Sequence, residues 1–487
     1  MTKLINAKDA VKIIKDNMTV VTDGFLMTNT PELLLSELGK RFKDTHHPQN
    51  LELWFPCGIG DFNGHGIDHW AQKGMVKTAV GSYWLSATKM RALIEKNQME
   101  GYCLPQGIIL QMFRDCATHK PITVSKIGVK TFIDYAGGSL NDISDIHKFV
   151  GHLKIGNDAY LSFKTPHPDV ALLRGGIIDK NGNISYQNKK VFLASMVLAM
   201  ATHNNGGKVI VQVEKKVNYE LDPKQVLLPS ILVDYAVMSS FLLPSLSSKN
   251  ETSITTPDSI KVASKQAIKL MTEKDKTLNI GIGKYPEGVA KVLKEKKFKF
   301  MPTVESGVFG GTARKGALFG TAENAQAIIN SDYMFDFYDG GGLDLAFLGL
   351  AETDQDGNSN VSKFNDKISG CGGFIDITQN THKLIFIGSF TAGGLKEKFE
   401  NGKLTILQEG KIHKFVNHVQ QITFSGDLAK ENKQDVYFVT ERATFKLTPK
   451  GLKLLYYILG IDLKNDILDQ MDFMPIIDRN TKQIKFE

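Results

Sequence analysis

Two motifs in this chain recur at a single spacing, and that repetition constrains the fold more than any other feature. Asp169 opens the apolar run 170–173 and is followed ten residues later by Asp179-Lys180-Asn181-Gly182-Asn183. Asp344 opens the run 345–348, again with Asp354-Gln355-Asp356-Gly357-Asn358 ten residues on, an offset of 344 − 169 = 175. Lys208-Val209-Ile210-Val211 and Lys383-Leu384-Ile385-Phe386 keep the same offset, 383 − 208 = 175. One match arises easily by accident; two at one offset imply duplicated architecture. A chain of 487 residues has room for two such domains. Residues 245–257 are polar, rich in Ser and Thr and without helical or strand period, as a linker is. The expected division is therefore 1–244, a linker at 245–257, and 258–487.

Each half alternates short apolar runs with amphipathic stretches. Residues 18–21 precede a helical pattern at 31–41, and 278–282 precede one at 286–296. A glycine follows each strand (Gly24, Gly283) and a proline lies near each helix start (Pro31, Pro286). The alternation predicts an α/β fold of two related domains, each with a mostly parallel sheet flanked by helices. In such sheets ligands bind where loops leave the carboxyl ends of the strands.

Charge and composition exclude several classes of function. The net charge of +7, from 59 basic and 52 acidic residues, is spread along the chain without a long basic run. It suits a small acidic substrate and falls short of a nucleic-acid signature. Cys57, Cys103, Cys116 and Cys371 form no C-x-x-C pair, so neither a disulfide framework nor a zinc or thioredoxin-like site is expected. They read as free thiols of a reducing compartment. The first residues carry Lys8, Lys12 and Lys15 and no apolar signal core, and the longest apolar run, 191–201, is about half a membrane span. A cytoplasmic protein with no membrane partner is expected. Gly281-Ile282-Gly283 begins a dinucleotide fingerprint, but position 286 is proline. His65 and His69 have i, i+4 spacing, yet Gly64 and Gly66 weaken a helix there and no glutamate completes a zinc motif.

Three segments carry candidate chemistry. Glu305 follows a largely apolar run at 298–304 and precedes Ser306-Gly307-Val308-Phe309-Gly310-Gly311. Glycines after a strand let a ligand approach the carboxylate, and their amides can hold negative charge. From spacing alone, Glu305 reads equally as a cap or turn carboxylate. Gly340-Gly341-Gly342 precede the run 345–348 and can present amides to an oxyanion, or form a plain loop. Gln106, in Leu104-Pro105-Gln106-Gly107, offers an uncharged amide at the head of a helical stretch.

Taken together, these segments resemble family I CoA-transferases, in which a glutamate precedes Ser or Asn, Gly and further glycines. The single-chain acetate and propionate enzymes, whose halves correspond to the separate subunits of 3-oxoacid CoA-transferases, are the most similar. The likeness extends through Pro105-Gln106-Gly107, the stretches 335–346 and 360–364, Phe390-Thr391-Ala392-Gly393-Gly394, Val439-Thr440-Glu441-Arg442 and Gly460-Ile461-Asp462-Leu463. It implies that Glu305 is a covalent nucleophile, that Gln106 and the backbone of Gly341 and Gly342 form an oxyanion hole, and that Phe390, Thr391, Ala392, Gly393 and Gly394 belong to the CoA pocket. It also implies a homo-oligomer, dimer or tetramer. Two departures bear on the acyl group. Tyr83 stands where relatives often have histidine, and Thr312-Ala313-Arg314-Lys315 replaces a small, glycine-rich run.

A carboxylate shielded from water can attack a thioester, and the released thiolate can then take the glutamyl carbonyl as an enzyme–CoA thioester. No proton need be transferred, so the expected reaction uses neither a histidine base nor a metal, and CoA enters as substrate rather than as a resident cofactor. The expected activity is transfer of CoA from a short-chain acyl-CoA to acetate, propionate, butyrate or acetoacetate. The alternatives are an acyl-CoA hydrolase, in which water resolves the thioester, and a non-catalytic binding protein on the same scaffold.

Overall fold

The computed structural model describes residues 2–186, 190–239, 257–295, 299–314 and 318–486. Nearly all of the expected linker, residues 245–256, lies outside them. The chain forms two compact units. The first comprises Met1–Lys249, Val304–Asp336 and Asp366–Asp376; the second comprises Asn250–Thr303, Phe337–Asn365 and Ile377–Glu487. The two later insertions into the first unit have no counterpart in a division at one point of the sequence, and one of them carries Glu305.

The first unit is built on an eight-stranded sheet in the order Lys3–Ile5, Tyr235–Met238, Lys208–Val213, Val170–Arg174, Thr19–Thr22, Leu51–Phe55, Val76–Gly81, Glu100–Cys103. Every pairing is parallel. Strands covered on both faces need unbroken apolar side chains, and Val170–Arg174 is buried throughout. After Thr19–Thr22 the chain winds toward Leu51–Phe55, whereas after Val170–Arg174 it winds the other way. The carboxyl edge near that reversal is where open α/β sheets bind ligands.

The sheet of the second unit runs Met301–Val304, Thr277–Ile280, Leu345–Gly349, Lys383–Ile387, Asp435–Val439, Ala443–Thr448, Gly451–Ile458, Lys482–Ile484. It is parallel through Asp435–Val439 and antiparallel over the next two pairings. Leu278, Leu345, Phe347, Ile385 and Val439 form its core with Val289 and Leu293 of the helix Lys284–Glu295. Among the described residues no helix is long and apolar enough to cross a membrane.

The 175-residue repetition is a repetition of structure. Lys208 pairs with Val170, and Lys383 pairs with Leu345 in the same register. Asp169 accepts a hydrogen bond from the Thr19 amide, and Asp344 accepts one from that of Thr277. In the turns, Asp179 Oδ1 accepts from the amides of Asn181 and Asn183, and Asp354 Oδ1 from those of Asp356 and Asn358. The intervening glycines, Gly182 and Gly357, have φ of +87° and +82°, a left-handed conformation that favours glycine. Side chain and backbone thus specify one loop twice.

Candidate active site

The candidate residues of the first unit gather at the carboxyl edge of its sheet. Phe25 follows the strand Thr19–Thr22, Cys57 follows Leu51–Phe55, Tyr83 follows Val76–Gly81 and Gln106 follows Glu100–Cys103. Phe25 and Cys57 pack with Val191, Leu193, Val304 and Val308, the last two of which flank Glu305 in the chain. The charge of Glu305 acts on both Cys57 and Tyr83, opposing ionisation of the Cys57 thiol and the Tyr83 phenol. Burial acts in the same direction and more strongly, pushing Tyr83 up to about 12.

Glu305 lies between the strand Met301–Val304 and the hairpin of Val308–Phe309 with Ala327–Ile328. The following glycines serve this turn. Gly307 has φ +105°, and a Cβ there would sit 2.0 Å from the Ile329 carbonyl oxygen. Its amide donates to Val304, and Ser306 donates its hydroxyl to the Gly320 carbonyl. The Gly307 amide is therefore not available to hold an anion, contrary to the sequence-based expectation. The carboxyl of Glu305 itself has no hydrogen-bond donor and no cation partner among the described residues, which excludes a cap or turn role. The residue is half-buried, and the surrounding protein removes enough water from its carboxyl to push it up to about 7. An unpaired, desolvated carboxyl at a sheet's carboxyl edge is costly, and such groups mark functional sites.

A loop of the inserted segment Asp366–Asp376 lies directly against it. Trp84 donates its amide to the Ser369 carbonyl, Gly372 donates to Ser82 at 2.8 Å, and Gln106 donates its amide to Gly372 at 3.1 Å. A Cβ added to Gly373 would lie 3.4 Å from Glu305 Cδ and 2.8 Å from Phe335 Cζ, so only glycine lets this backbone run so close to the carboxyl. The Gly373 amide carries no hydrogen bond among the described residues. Gln106 is the first residue of the helix Gln106–Ala117 and is 2% exposed. Its Oε1 is buried without a partner, and its Nε2 donates no hydrogen bond among the described residues. Arg114 on the same helix grips Asp332 at 2.8 Å and Asp336 at 2.5 Å, bracing it against the helix that carries Phe335.

Two sequence-based assignments require correction. Gly341 and Gly342 donate their amides to Tyr338 and Phe337, at 2.9 and 2.8 Å, closing the end of the helix Ser331–Asp339. They also precede Leu345–Gly349 at the amino edge of their sheet, where Asp344 pairs with Thr277. Both amides are used and lie at the wrong edge for an oxyanion hole. Phe390 and Thr391 are wholly buried: the Phe390 amide donates to Glu441, its ring lies 4.8 Å from the Arg442 guanidinium, and Thr391 donates to Glu409. Of that segment only Ala392, Gly393 and Gly394 are open enough to meet a ligand.

Gly372, Gly373 and Cys57 were not anticipated. The signal for the first two was present in Gly370-Cys371-Gly372-Gly373, a glycine cluster that precedes no strand and has no charged residue. The histidines flagged by spacing are engaged elsewhere, His65 with Asp61 at 2.7 Å and His69 with Glu32 at 2.6 Å. No group of three or more potential ligands positioned for a metal occurs among the described residues. Lys315 lies outside the described residues, and Arg314 pairs with Glu323 at 3.1 Å.

Residues 4–239 match the family model described as Coenzyme A transferase. The acetate CoA-transferase YdiF of Escherichia coli K12 is 38% identical over 98% of this chain and 93% of its own length. The caffeate CoA-transferase of Acetobacterium woodii is 36% identical over 99% of this chain and 97% of its own. Among solved structures, the E. coli O157:H7 acyl-CoA transferase YdiF, in a thioester complex with CoA, superposes with a TM-score of 0.92 at 36% identity, covering 99% of this chain and 95% of that one.

Proposed function

The chain belongs to the coenzyme A transferase family, and we propose that it moves CoA from a short-chain acyl-CoA to a carboxylic acid through a thioester on Glu305. The observation that carries this reading is the isolated, desolvated Glu305 carboxyl, raised to about 7 by burial alone. Water stabilises a free carboxylate and dulls it as a nucleophile; removal of that water restores its reactivity.

In the proposed cycle an oxygen of Glu305 attacks the acyl-CoA carbonyl, and the tetrahedral intermediate expels the CoA thiolate to leave a mixed anhydride. The thiolate then attacks the glutamyl carbonyl, which frees the donor acid as its carboxylate and leaves a Glu305–CoA thioester. The acceptor carboxylate repeats the two steps in reverse order. Proton count is unchanged throughout, so neither a general base nor a metal is needed. Each tetrahedral intermediate carries an oxyanion, for which the Gln106 Nε2 and the Gly373 backbone amide, neither of which donates a hydrogen bond among the described residues, are the available donors. The thioester complex of the YdiF relative supports this route, and the acetate and caffeate relatives support carboxylic acids as acceptors.

The direct test is incubation with acetyl-CoA in the absence of an acceptor acid, followed by digestion and mass spectrometry. CoA attached to Glu305, or the alcohol left after borohydride reduction, is the expected outcome. An unmodified Glu305 with several acyl-CoAs that demonstrably bind would sink the covalent route. Assays with and without acetate distinguish transfer from hydrolysis, because only transfer requires the second acid.

Two further outcomes follow from the site. Only the ionised carboxyl attacks, so kcat/KM should fall as pH drops through about 7, tenfold per unit on the acid limb; a flat profile between pH 5.5 and 8 would contradict the raised carboxyl. Gln106→Ala should lower kcat by about two to three orders of magnitude, the scale of losing one oxyanion donor, with little change in melting temperature. Unchanged turnover would remove Gln106 from the site.

A further inference from the structure

All four cysteines are buried free thiols, and two of them meet: the sulfurs of Cys103 and Cys371 lie 3.5 Å apart. Both residues belong to the first unit. Cys103 ends the strand Glu100–Cys103, where its backbone pairs with Gly81 and its amide donates to the Gly138 carbonyl at 2.7 Å. Its thiol donates to the Ser82 carbonyl at 3.1 Å, and its sulfur accepts the Cys371 amide at 3.2 Å. Cys371 lies in the inserted loop, one residue before Gly372 and two before Gly373. The glycines on either side, Gly370 and Gly372, have φ of +81° and +55°.

We propose that Cys103 and Cys371 form a modification site, which a hydroperoxide such as hydrogen peroxide converts to a disulfide, and that this bond stops turnover by displacing the Gly372–Gly373 backbone beside Glu305. Cys371 is the more accessible thiol, 5% exposed against 0% for Cys103, and a Cβ at Gly372 would meet no atom within 4 Å. That open space gives a small oxidant its way in. The Cys371 thiolate attacks a peroxide oxygen and breaks the O–O bond, leaving a sulfenic acid and hydroxide, which takes the thiol proton and departs as water. The Cys103 sulfur then attacks the Cys371 sulfur. The S–S bond forms, the S–O bond breaks, and the hydroxyl leaves with the Cys103 proton as a second water. Two electrons pass from the two sulfurs to the peroxide. Burial first, and then Cys103, hold the Cys371 thiol well above the usual range. Few of these thiols are ionised at neutral pH, so the site answers sustained exposure to the oxidant.

A disulfide bond is about 2.05 Å long, so the sulfurs must close by about 1.5 Å. Sheet pairing fixes Cys103, which leaves the glycine-flanked loop to move. Gly373 has no slack there, since a Cβ on it would already lie 3.4 Å from Glu305 Cδ. Displacements near 1 Å in an active site cost about 10²-fold in rate. The disulfide forms whether or not Glu305 is the nucleophile; its effect on turnover rests on the reading proposed above.

The test exposes the full chain to hydrogen peroxide and stops the reaction with catalase. One portion is blocked with N-ethylmaleimide for non-reducing peptide mass spectrometry, and the other is assayed for CoA transfer before and after dithiothreitol. The expected result is a linked peptide pair carrying Cys103 and Cys371, two hydrogens lighter than its parts. The linked fraction should lose about 10²-fold in kcat, and dithiothreitol should restore the rate. Cys371→Ser should keep most of its own untreated rate through the same exposure. Cys103→Ser should form no link and take up dimedone, which labels sulfenic acids, at Cys371. A failure of the Glu305 chemistry shows in the untreated enzyme, whereas a failure of the disulfide shows in the peptides. Oxidation of other thiols without a link between 103 and 371, a link that leaves turnover unchanged, or equal inactivation of Cys371→Ser would each overturn the proposal.

Discussion

Glu305→Gln should abolish CoA transfer, lowering kcat by on the order of 10⁵-fold or more, the scale seen when a covalent nucleophile is removed. The amide keeps the size and shape of the side chain but cannot attack a thioester. Glu305→Asp keeps the charge and withdraws it by about one methylene. Displacements near 1 Å cost about 10²-fold, so this variant should retain measurable turnover. Stability separates chemistry from scaffolding. The carboxyl has no partner among the described residues and its folded-state value is raised from 4.5 to about 7. Below pH 4.5 it is protonated whether folded or unfolded and costs nothing. Between the two values the unfolded chain ionises first, so the folded state loses stability as pH rises, and the cost is complete above about 7. Glu305→Gln should therefore melt no lower than the wild type at pH 8, and the advantage should vanish near pH 4.5. Loss of activity with a lowered melting temperature would mean that Glu305 holds the loop together rather than performing the chemistry.

The sequence made the fold legible where one physical rule acts locally. The Asp-x-x-Gly-Asn turns, the strands they follow and the 175-residue offset could be read because a short carboxylate bonds amides two and four residues on and the glycine supplies a positive φ. Glu305 could be found because the strand before it and the glycines after it are contiguous with it. Its hydrogen-bonded surroundings could not. Gly372 and Gly373 reach the site from almost seventy residues downstream, held by hydrogen bonds of Gly372 to Ser82 and from Gln106 that no local pattern encodes. The same limit explains the error at Gly341 and Gly342. A run of glycines before a strand suits an anion loop and a helix end equally, and only the bonds to Phe337 and Tyr338 decide between them. The unit boundaries follow this logic too. Val304–Asp336 and Asp366–Asp376 join the first unit by packing, and packing between distant segments leaves no periodic trace in the chain.

Arg442→Met should destabilise the second unit by about 3–5 kcal/mol, the cost of breaking a buried ion cluster from one side. Arg442 is wholly buried. Its Nε donates to Glu441 at 3.0 Å, its two terminal nitrogens donate to Glu409 at 2.9 and 3.1 Å, and Nη1 also reaches the Asp466 carbonyl. Methionine fills much of the same volume but leaves Glu441 and Glu409 as charges without their cation. Glu397 nearby is already raised to about 7, by burial first and then by Glu441, and Arg442 is the cation that counters this. In a unit of this size each kcal/mol moves a melting transition by roughly 2–4 °C, so a drop near 10 °C is expected in scanning calorimetry at pH 7.5. Adding Glu409→Gln and Glu441→Gln to Arg442→Met should recover part of the loss, because no carboxylate is then left beside the vacated guanidinium position. A second consequence tests what the cluster is for. Phe390 and Thr391 are fastened to Glu441 and Glu409, and they set the position from which Ala392, Gly393 and Gly394 emerge. If that emergence shapes the CoA pocket, the variant's KM for acyl-CoA should rise well below its melting temperature while the Glu305 thioester still forms at saturating acyl-CoA. A raised KM without destabilisation would place Arg442 on CoA itself, against its complete burial; destabilisation with unchanged KM would leave 390–394 a purely structural corner.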